Sequence, residues 1–176
     1  MKYFISDHHW GHTSIIKMSN RPFNNLREMN LFMIDEWNKT VGINDEVYYL
    51  GDLMYKMNPK HFVRNVLNEL NGKIYLIIGN HDEKHLHKYI HRFEWAKDVH
   101  YMNYEYNNKL YNFVLYHYPI YSWKGIYKGY IHIHGHTHKK KEIETIPKRG
   151  NILNVNCEFL DYKPISIEEI INKFKK

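Results

Sequence analysis

The chain has 176 residues, a formal charge of +6 at pH 7 and an apolar fraction of 43%, which suits one domain with a sizeable core. No apolar run reaches the roughly 18 residues that a membrane helix needs, and a single cysteine, Cys157, excludes an internal disulfide framework and fits a reducing compartment. The N-terminus has no signal-peptide layout, so the expected location is cytoplasmic, with no membrane partner.

In chain order, residues 2–6 read as a first strand, followed by a loop and a short helix near His12 to Met18. Leu26, Met29, Met33 and Trp37 recur at helical spacing and predict an amphipathic helix from Leu26 to Thr40. A strand is expected at 47–50. A second helix is expected from Pro59 to Leu70, with proline in its first turn and Asn71-Gly72 as its stop. Strand 73–78 follows, and His85, His87 and His91 fall on an expected helix after it. Residues 99–106 and 110–116 flank Asn107-Asn108-Lys109 as a hairpin. Strands at 129–134 and 151–156 come next, and the capping box Ser166-Ile167-Glu168-Glu169 opens a C-terminal helix with Ile170, Ile171 and Phe174 inside.

Polar clusters sit where five of these apolar runs end. Asp7 and His9 follow the first, Asp52 the second, Asn80 the third, His117 the fourth, and His136 with His138 the fifth. An open α/β sheet keeps its ligand site at such strand ends. Seven residues then offer eight coordination positions, because the two oxygens of Asp52 can bridge two ions. Two divalent ions carry four positive charges and Asp7 and Asp52 return two negative ones, so the site attracts an anion. Ions about 3.5–4 Å apart can polarise a phosphoryl oxygen and hold a hydroxide in line for attack. Mixed nitrogen and oxygen ligation suits Mn, Fe, Zn, Co or Ni better than Ca or Mg.

The series Asp7-His8-His9, Gly51-Asp52, Gly79-Asn80-His81-Asp82, His117 and Gly135-His136-Thr137-His138 resembles the calcineurin-like metallophosphoesterase superfamily. Ile5 to His12, with Asn20-Arg21-Pro22-Phe23 after it, is similar to a small bacteriophage-type or bacterial subset. The resemblance implies a four-layer α/β/β/α sandwich formed by one domain over residues 1–176. It implies two divalent transition-metal ions, with manganese preferred. One ion would take Asp7, His9, Asp52 and His138; the other would take Asp52, Asn80, His117 and His136. His81 would stand by the leaving group, where an imidazolium can donate a proton, so Asp52 and His81 carry the catalytic roles. In the protein-phosphatase branch a second Asp and an Arg follow the Gly-Asp block; here Tyr55 and Lys56 stand at those positions. A lysine is a point charge and not a bidentate phosphate fork, which favours a diester over a phosphoprotein substrate.

The resulting expectation is a phosphodiesterase for a nucleotide-like phosphate ester: a cyclic nucleotide, a small diester or a nucleic-acid end. The alternatives are a phosphomonoesterase, a nuclease acting on single-stranded DNA or RNA, which the basic balance favours, and a non-catalytic interaction module on the same fold, although such a module would be expected to lose ligands that are all present here. His12 and Arg21 are the candidate substrate-binding residues, against caps and turns as their bland readings. His87 and His91 share a helical face, but a third ligand is missing. Trp10, Tyr118, Tyr121 and Trp123 could stack a base or simply pack loops. Lys139-Lys140-Lys141 and the terminal Lys173, Lys175 and Lys176 could meet nucleic acid, but charge runs are more often solvated surface.

Overall fold

The structure is a computed structural model that describes residues 1–138 and 150–175. It is mixed α/β, with two sheets and few helices. The first sheet contains β1 (Lys2–Ile5), β2 (Glu46–Tyr49), β3 (Lys73–Ile77), β4 (Trp95–Lys97) and β9 (Ile165–Ser166), in the order β4-β3-β2-β1-β9. Its strands are parallel except for the antiparallel edge strand β9. The second sheet has β5 (Val99–Tyr106), β6 (Lys109–Tyr116), β7 (Ile131–His134) and β8 (Asn151–Asn154) in sequence order. There β5 and β6 are antiparallel and β6, β7 and β8 are parallel.

Strand alternation sorts side chains between two cores. Phe4, Tyr48, Leu50 and Ile77 meet Phe113, Leu115, Ile131 and Ile133 of the second sheet, so the sheets pack face to face. Ile5, Val47, Tyr49, Ile74 and Leu76 point the other way, onto α2 (Leu26–Thr40) and the segment 59–67. Helix α2 has the expected bounds and buries Met29, Met33 and Trp37, the residues that showed its period. The small core on the outer face of the second sheet joins Val114 to Trp123 and Ile126, and Ile126 lies in a 3₁₀ turn.

Several elements differ from expectation. The first short helix, α1, is confined to Ile15–Met18, and the expected helix at 59–70 is an α-helical turn, α3 (Pro59–Phe62), continued as a π-helix over Val63–Leu67. The segment after Asp82 holds two 3₁₀ turns, Leu86–Lys88 and Ile90–Arg92, in place of a helix. Strands β4 and β9 have two or three residues each and carry no periodic signal of their own. The hairpin turns through Asn107 and Asn108 alone, both at positive φ (52° and 59°), as a two-residue primed turn requires. The capping box at Ser166 opens α4 (Ile167–Phe174), with both reciprocal bonds made. Among the described residues, no helix is long and apolar enough to cross a membrane.

Candidate metal centre

All seven candidate ligands lie on segments that leave the carboxyl ends of β1, β2, β3, β6 and β7. The two sheets are stitched together at the same end. Ser6 N–H donates to Val155 O at 3.0 Å, and Cys157 N–H donates to Ser6 O at 3.0 Å. The loops after β1 and β2 keep pairing beyond their strands, through Asp7 N–H to Gly51 O at 3.0 Å and His9 N–H to Asp52 O at 3.1 Å. Four of the seven residues have left-handed backbones: Asp7 (φ 61°), His9 (53°), Asp52 (58°) and His136 (68°). Such conformations cost about 1–3 kcal/mol each in non-glycine residues and gather at functional sites.

Glycine is required where these loops touch. Gly51 has φ +89°, and a Cβ there would lie 2.5 Å from His117 Nδ1 and 2.8 Å from the Gly79 backbone. A Cβ on Gly135 would collide with the Asp7 carboxylate and the Ser6 hydroxyl.

Among the described residues, three groups of His and Asp side chains could hold a metal ion: Asp7-His9-His138, His9-Asp52-His81 and Asp52-His117-His136. In each, the ligand atoms lie within 4.8 Å of one another. His9 Nε2 is 3.1 Å from His138 Nε2, and the Asn80 amide oxygen is 3.1 Å from both His117 Nε2 and His136 Nδ1. Asp52 faces both ways, with Oδ2 3.6 Å from His9 Nε2 and Oδ1 3.6 Å from His117 Nε2. Asp7 Oδ1 is 3.7 Å from His138 Nε2. Ligands about 2.1 Å from one ion are separated by roughly 3.0 Å along an octahedral edge and roughly 3.4 Å along a tetrahedral one. The 3.1 Å spacings fall between these edges, and the Asp-to-His spacings of 3.6–3.7 Å lie just beyond the tetrahedral one.

Proton positions suit metal binding as well. Leu50 O can only accept, so at 2.7 Å it receives the His117 Nδ1 proton, and Nε2 is the nitrogen turned toward the centre. The Glu158 carboxylate plays the same part for His138 Nδ1 at 3.0 Å. Burial pushes Asp7 up to about 6 and His9 down to about 2. For His117, burial favours the neutral ring, but hydrogen bonding to Asp52 and the charges of Asp7 and Asp52 prevail and raise it to about 9. Burial likewise opposes ionisation of Asp52, yet His117 and His9 bring it down to about 2. Two buried carboxylates among histidines are a charge arrangement that a cation completes.

A cavity of about 590 Å³ opens on this cluster, lined by His9, His12, Tyr55, Asn80, His81 and His138 among others. His81 stands at its rim with its side chain 38% exposed, its ring edge-on to Tyr55 at 5.2 Å and its backbone N–H donating to Asp52 Oδ1 at 3.0 Å. His12 also lines the cavity and packs on Tyr55 with centroids 4.0 Å apart.

No family model matches the chain. The uncharacterized protein MJ1445 of Methanocaldococcus jannaschii is 41% identical over 177 residues, spanning 99% of this chain and 91% of that protein. The chain belongs to the MJ1445 family. A solved structure, that of the protein of unknown function AQ665 from Aquifex aeolicus, superposes with a TM-score of 0.74 at 29% identity over 99% of each chain.

In this MJ1445-family chain, one expected substrate-binding residue has another position. Arg21 is buried, and its guanidinium is committed to Asp7 O (2.8 Å), His8 O (2.7 Å) and Glu158 Oε1 (2.8 Å). It braces the first loop and has no donor aimed into the cavity. Asp82 is a second brace: its carboxylate accepts from the backbone N–H groups of Asp52, Leu53 and Gly79, each at 2.9 Å. The pattern had marked Asp82 only as the end of a block, and Glu158 carried no signal. His8 is buried under Trp10 with Nδ1 2.7 Å from Tyr49 OH, and Trp10 and Trp123 are buried too, so none of the three offers a face to a base. Tyr118 packs on His117 and His136. His87 and His91 are exposed and belong to none of the metal-capable groups among the described residues. Lys139, Lys140, Lys141 and Lys176 lie outside the described residues.

Proposed function

We propose that the protein is a dinuclear-metal phosphodiesterase of the calcineurin-like kind, with its two facing sheets as the inner layers of a four-layer sandwich. The observation that carries this reading is Asp52, whose two oxygens face different histidines, His9 on one side and His117 on the other, each at 3.6 Å. Asp7, His9 and His138 complete one half of the centre, and Asn80, His117 and His136 complete the other. When bound, two divalent ions, manganese by preference, would supply Lewis-acid polarisation of a phosphoryl group and activation of water.

The chain's own residues supply the rest. Asp7 and Asp52 bring two negative charges to the centre, so a phosphodiester monoanion remains attracted to it. His81 sits within the cavity rim and outside both proposed ligand sets, where a protonated ring can donate to the departing oxygen. Tyr55, which stands at the sequence position of the protein-phosphatase branch's second Asp, packs edge-on against the His81 ring. Among the described residues no arginine lines the cavity, so none of them offers a monoester dianion a bidentate partner.

The test is hydrolysis of an aryl phosphodiester and its matching monoester by manganese-loaded protein, with Asp52→Asn as control. Diester turnover lost in Asp52→Asn is expected. Activity confined to the monoester would make the protein a phosphatase. Absence of both activities, together with absence of bound metal, would leave an interaction module.

A further inference from the structure

A second basic surface leads away from the metal centre. Its first part is a cavity of about 270 Å³ that shares Tyr55, Lys56, Asn80 and His81 with the central one and adds Lys84 and His85. The two segments that wall it then run on to wall a larger cavity of about 710 Å³, lined by Asn58, Pro59, Lys60, Val63, Arg64, Lys88 and His91. Lys60 and Arg64 come from the α-to-π helical segment, and Lys88 and His91 from the paired 3₁₀ turns. A π-turn inside a helix is itself a feature that concentrates at functional sites.

Positive charge gathers on these two segments. Residues 54–64 hold three cations and no acid, and residues 83–92 hold three cations and one acid, so these two segments account for five of the chain's net +6. Among the described residues, none of Lys56, Lys60, Arg64, Lys84 or Lys88 is in an ion pair. Lys2, Lys39 and Lys163 are paired with carboxylates; among the described residues no acid neutralises the track as one does there. Unpaired like charges gathered along one surface repel each other and favour a polyanion.

We propose that this track binds the backbone of a single-stranded nucleic acid and leads one of its phosphodiesters to the metal centre. Three observations favour that occupant over others. Cationic side chains repeat along the track, Lys56 and Lys84 in its first part and Lys60, Arg64 and Lys88 in its second, which one mononucleotide would not fill. Apolar Pro59, Val63, Met54 and Tyr55 alternate with the cations, as they do where bases and sugars lie against a protein. The track joins a centre read as taking a phosphodiester, and nucleic acid is the polymer built of that group. Delivery to the centre rests on the phosphodiesterase reading; strand binding does not.

The experiment measures binding of a fluorescent twelve-nucleotide phosphorothioate strand, deoxy and ribo in separate arms, to manganese-loaded protein by anisotropy across salt. Five phosphate contacts give a slope of log affinity against log salt of about −3.5, or roughly a hundredfold loss between about 50 and 200 mM. The variant Lys60→Ala/Arg64→Ala/Lys88→Ala alters three exposed side chains. It should flatten the slope to about −1.4, roughly a sevenfold loss over the same range. The control Lys173→Ala/Lys175→Ala should match the unaltered protein.

Equal binding by the triple variant, or an equal loss in the control, overturns the proposal. So does competition by a mononucleotide as strong as that by the strand. Equal binding of polyglutamate of the same charge would reassign the surface to an acidic protein. An aryl phosphodiester, run in parallel, separates the two claims. If it is hydrolysed while strand binding ignores the track, this inference falls and the phosphodiesterase reading stands. If it is not hydrolysed while strand binding needs the track, the reading and the delivery step fall together.

Discussion

Arg21 and Glu158 are 137 positions apart in sequence and form a buried ion pair, Nε to Oε1 at 2.8 Å, directly behind the metal centre. The same Glu158 oxygen lies 3.0 Å from His138 Nδ1. Through its other nitrogens, Arg21 also holds the carbonyls of Asp7 and His8. One guanidinium thus fixes the first loop and, through a carboxylate, orients a histidine on the last.

Arg21→Met should therefore act on metal binding before it acts on substrate. Removing one partner of a buried pair costs about 3–5 kcal/mol, and losing a partner behind a ligand typically weakens metal affinity about 10–100-fold. Titration of manganese into the variant, beside a thermal unfolding curve, checks both. A substrate-binding role would instead raise KM with metal affinity unchanged.

Asp82→Asn should destabilise the fold while leaving every proposed ligand in place. The carboxylate accepts three backbone N–H groups, whereas an amide turns two hydrogens toward at least one of those donors. An unsatisfied buried donor costs about 1–3 kcal/mol, and in a chain of this size each kcal/mol lowers Tm by about 2–4 °C. Scanning calorimetry of the two proteins reads this directly.

The clasps show where sequence reasoning runs out. Helix α2 was legible because Met29, Met33 and Trp37 repeat with its period, and the metal blocks were legible because each directly follows an apolar run. The bonds made by Arg21 and Asp82 leave no such trace. Their partners are mostly main-chain atoms, which any residue supplies, and are distant along the chain. The short edge strands β4 and β9 are set by pairing with β3 and β1, not by their own two or three residues. The helix expected after Asp82 is replaced by two 3₁₀ turns, and histidine spacing alone could not distinguish the two.

Metal affinity should rise with pH. In the metal-free chain His117 keeps its proton up to about 9 and Asp7 up to about 6, and an ion must displace them. At pH 7 Asp7 is largely ionised and His117 is still protonated, so binding releases at least the His117 proton. Affinity should climb by up to about tenfold per pH unit between 7 and 9 and then level off. Calorimetry in two buffers of different ionisation enthalpy counts the protons. Zero released at pH 7 would contradict the charge arrangement at His117.

His81→Ala should keep both ions and lose turnover, most for esters with poor leaving groups and least for acidic phenols. Its Nε2 lies 3.9 Å from Asp52 Oδ2, close enough that metal content must be measured with the kinetics. Loss of an ion in this variant would make His81 a ligand instead of a proton donor.

Metal stoichiometry joined to electron paramagnetic resonance of the manganese-loaded protein reads whether Asp52 bridges two ions. Two ions per chain with a spin-coupled spectrum are expected, and in Asp52→Asn loss of the coupling together with at least one ion. A single uncoupled manganese per chain, unchanged in Asp52→Asn, would contradict the bridge.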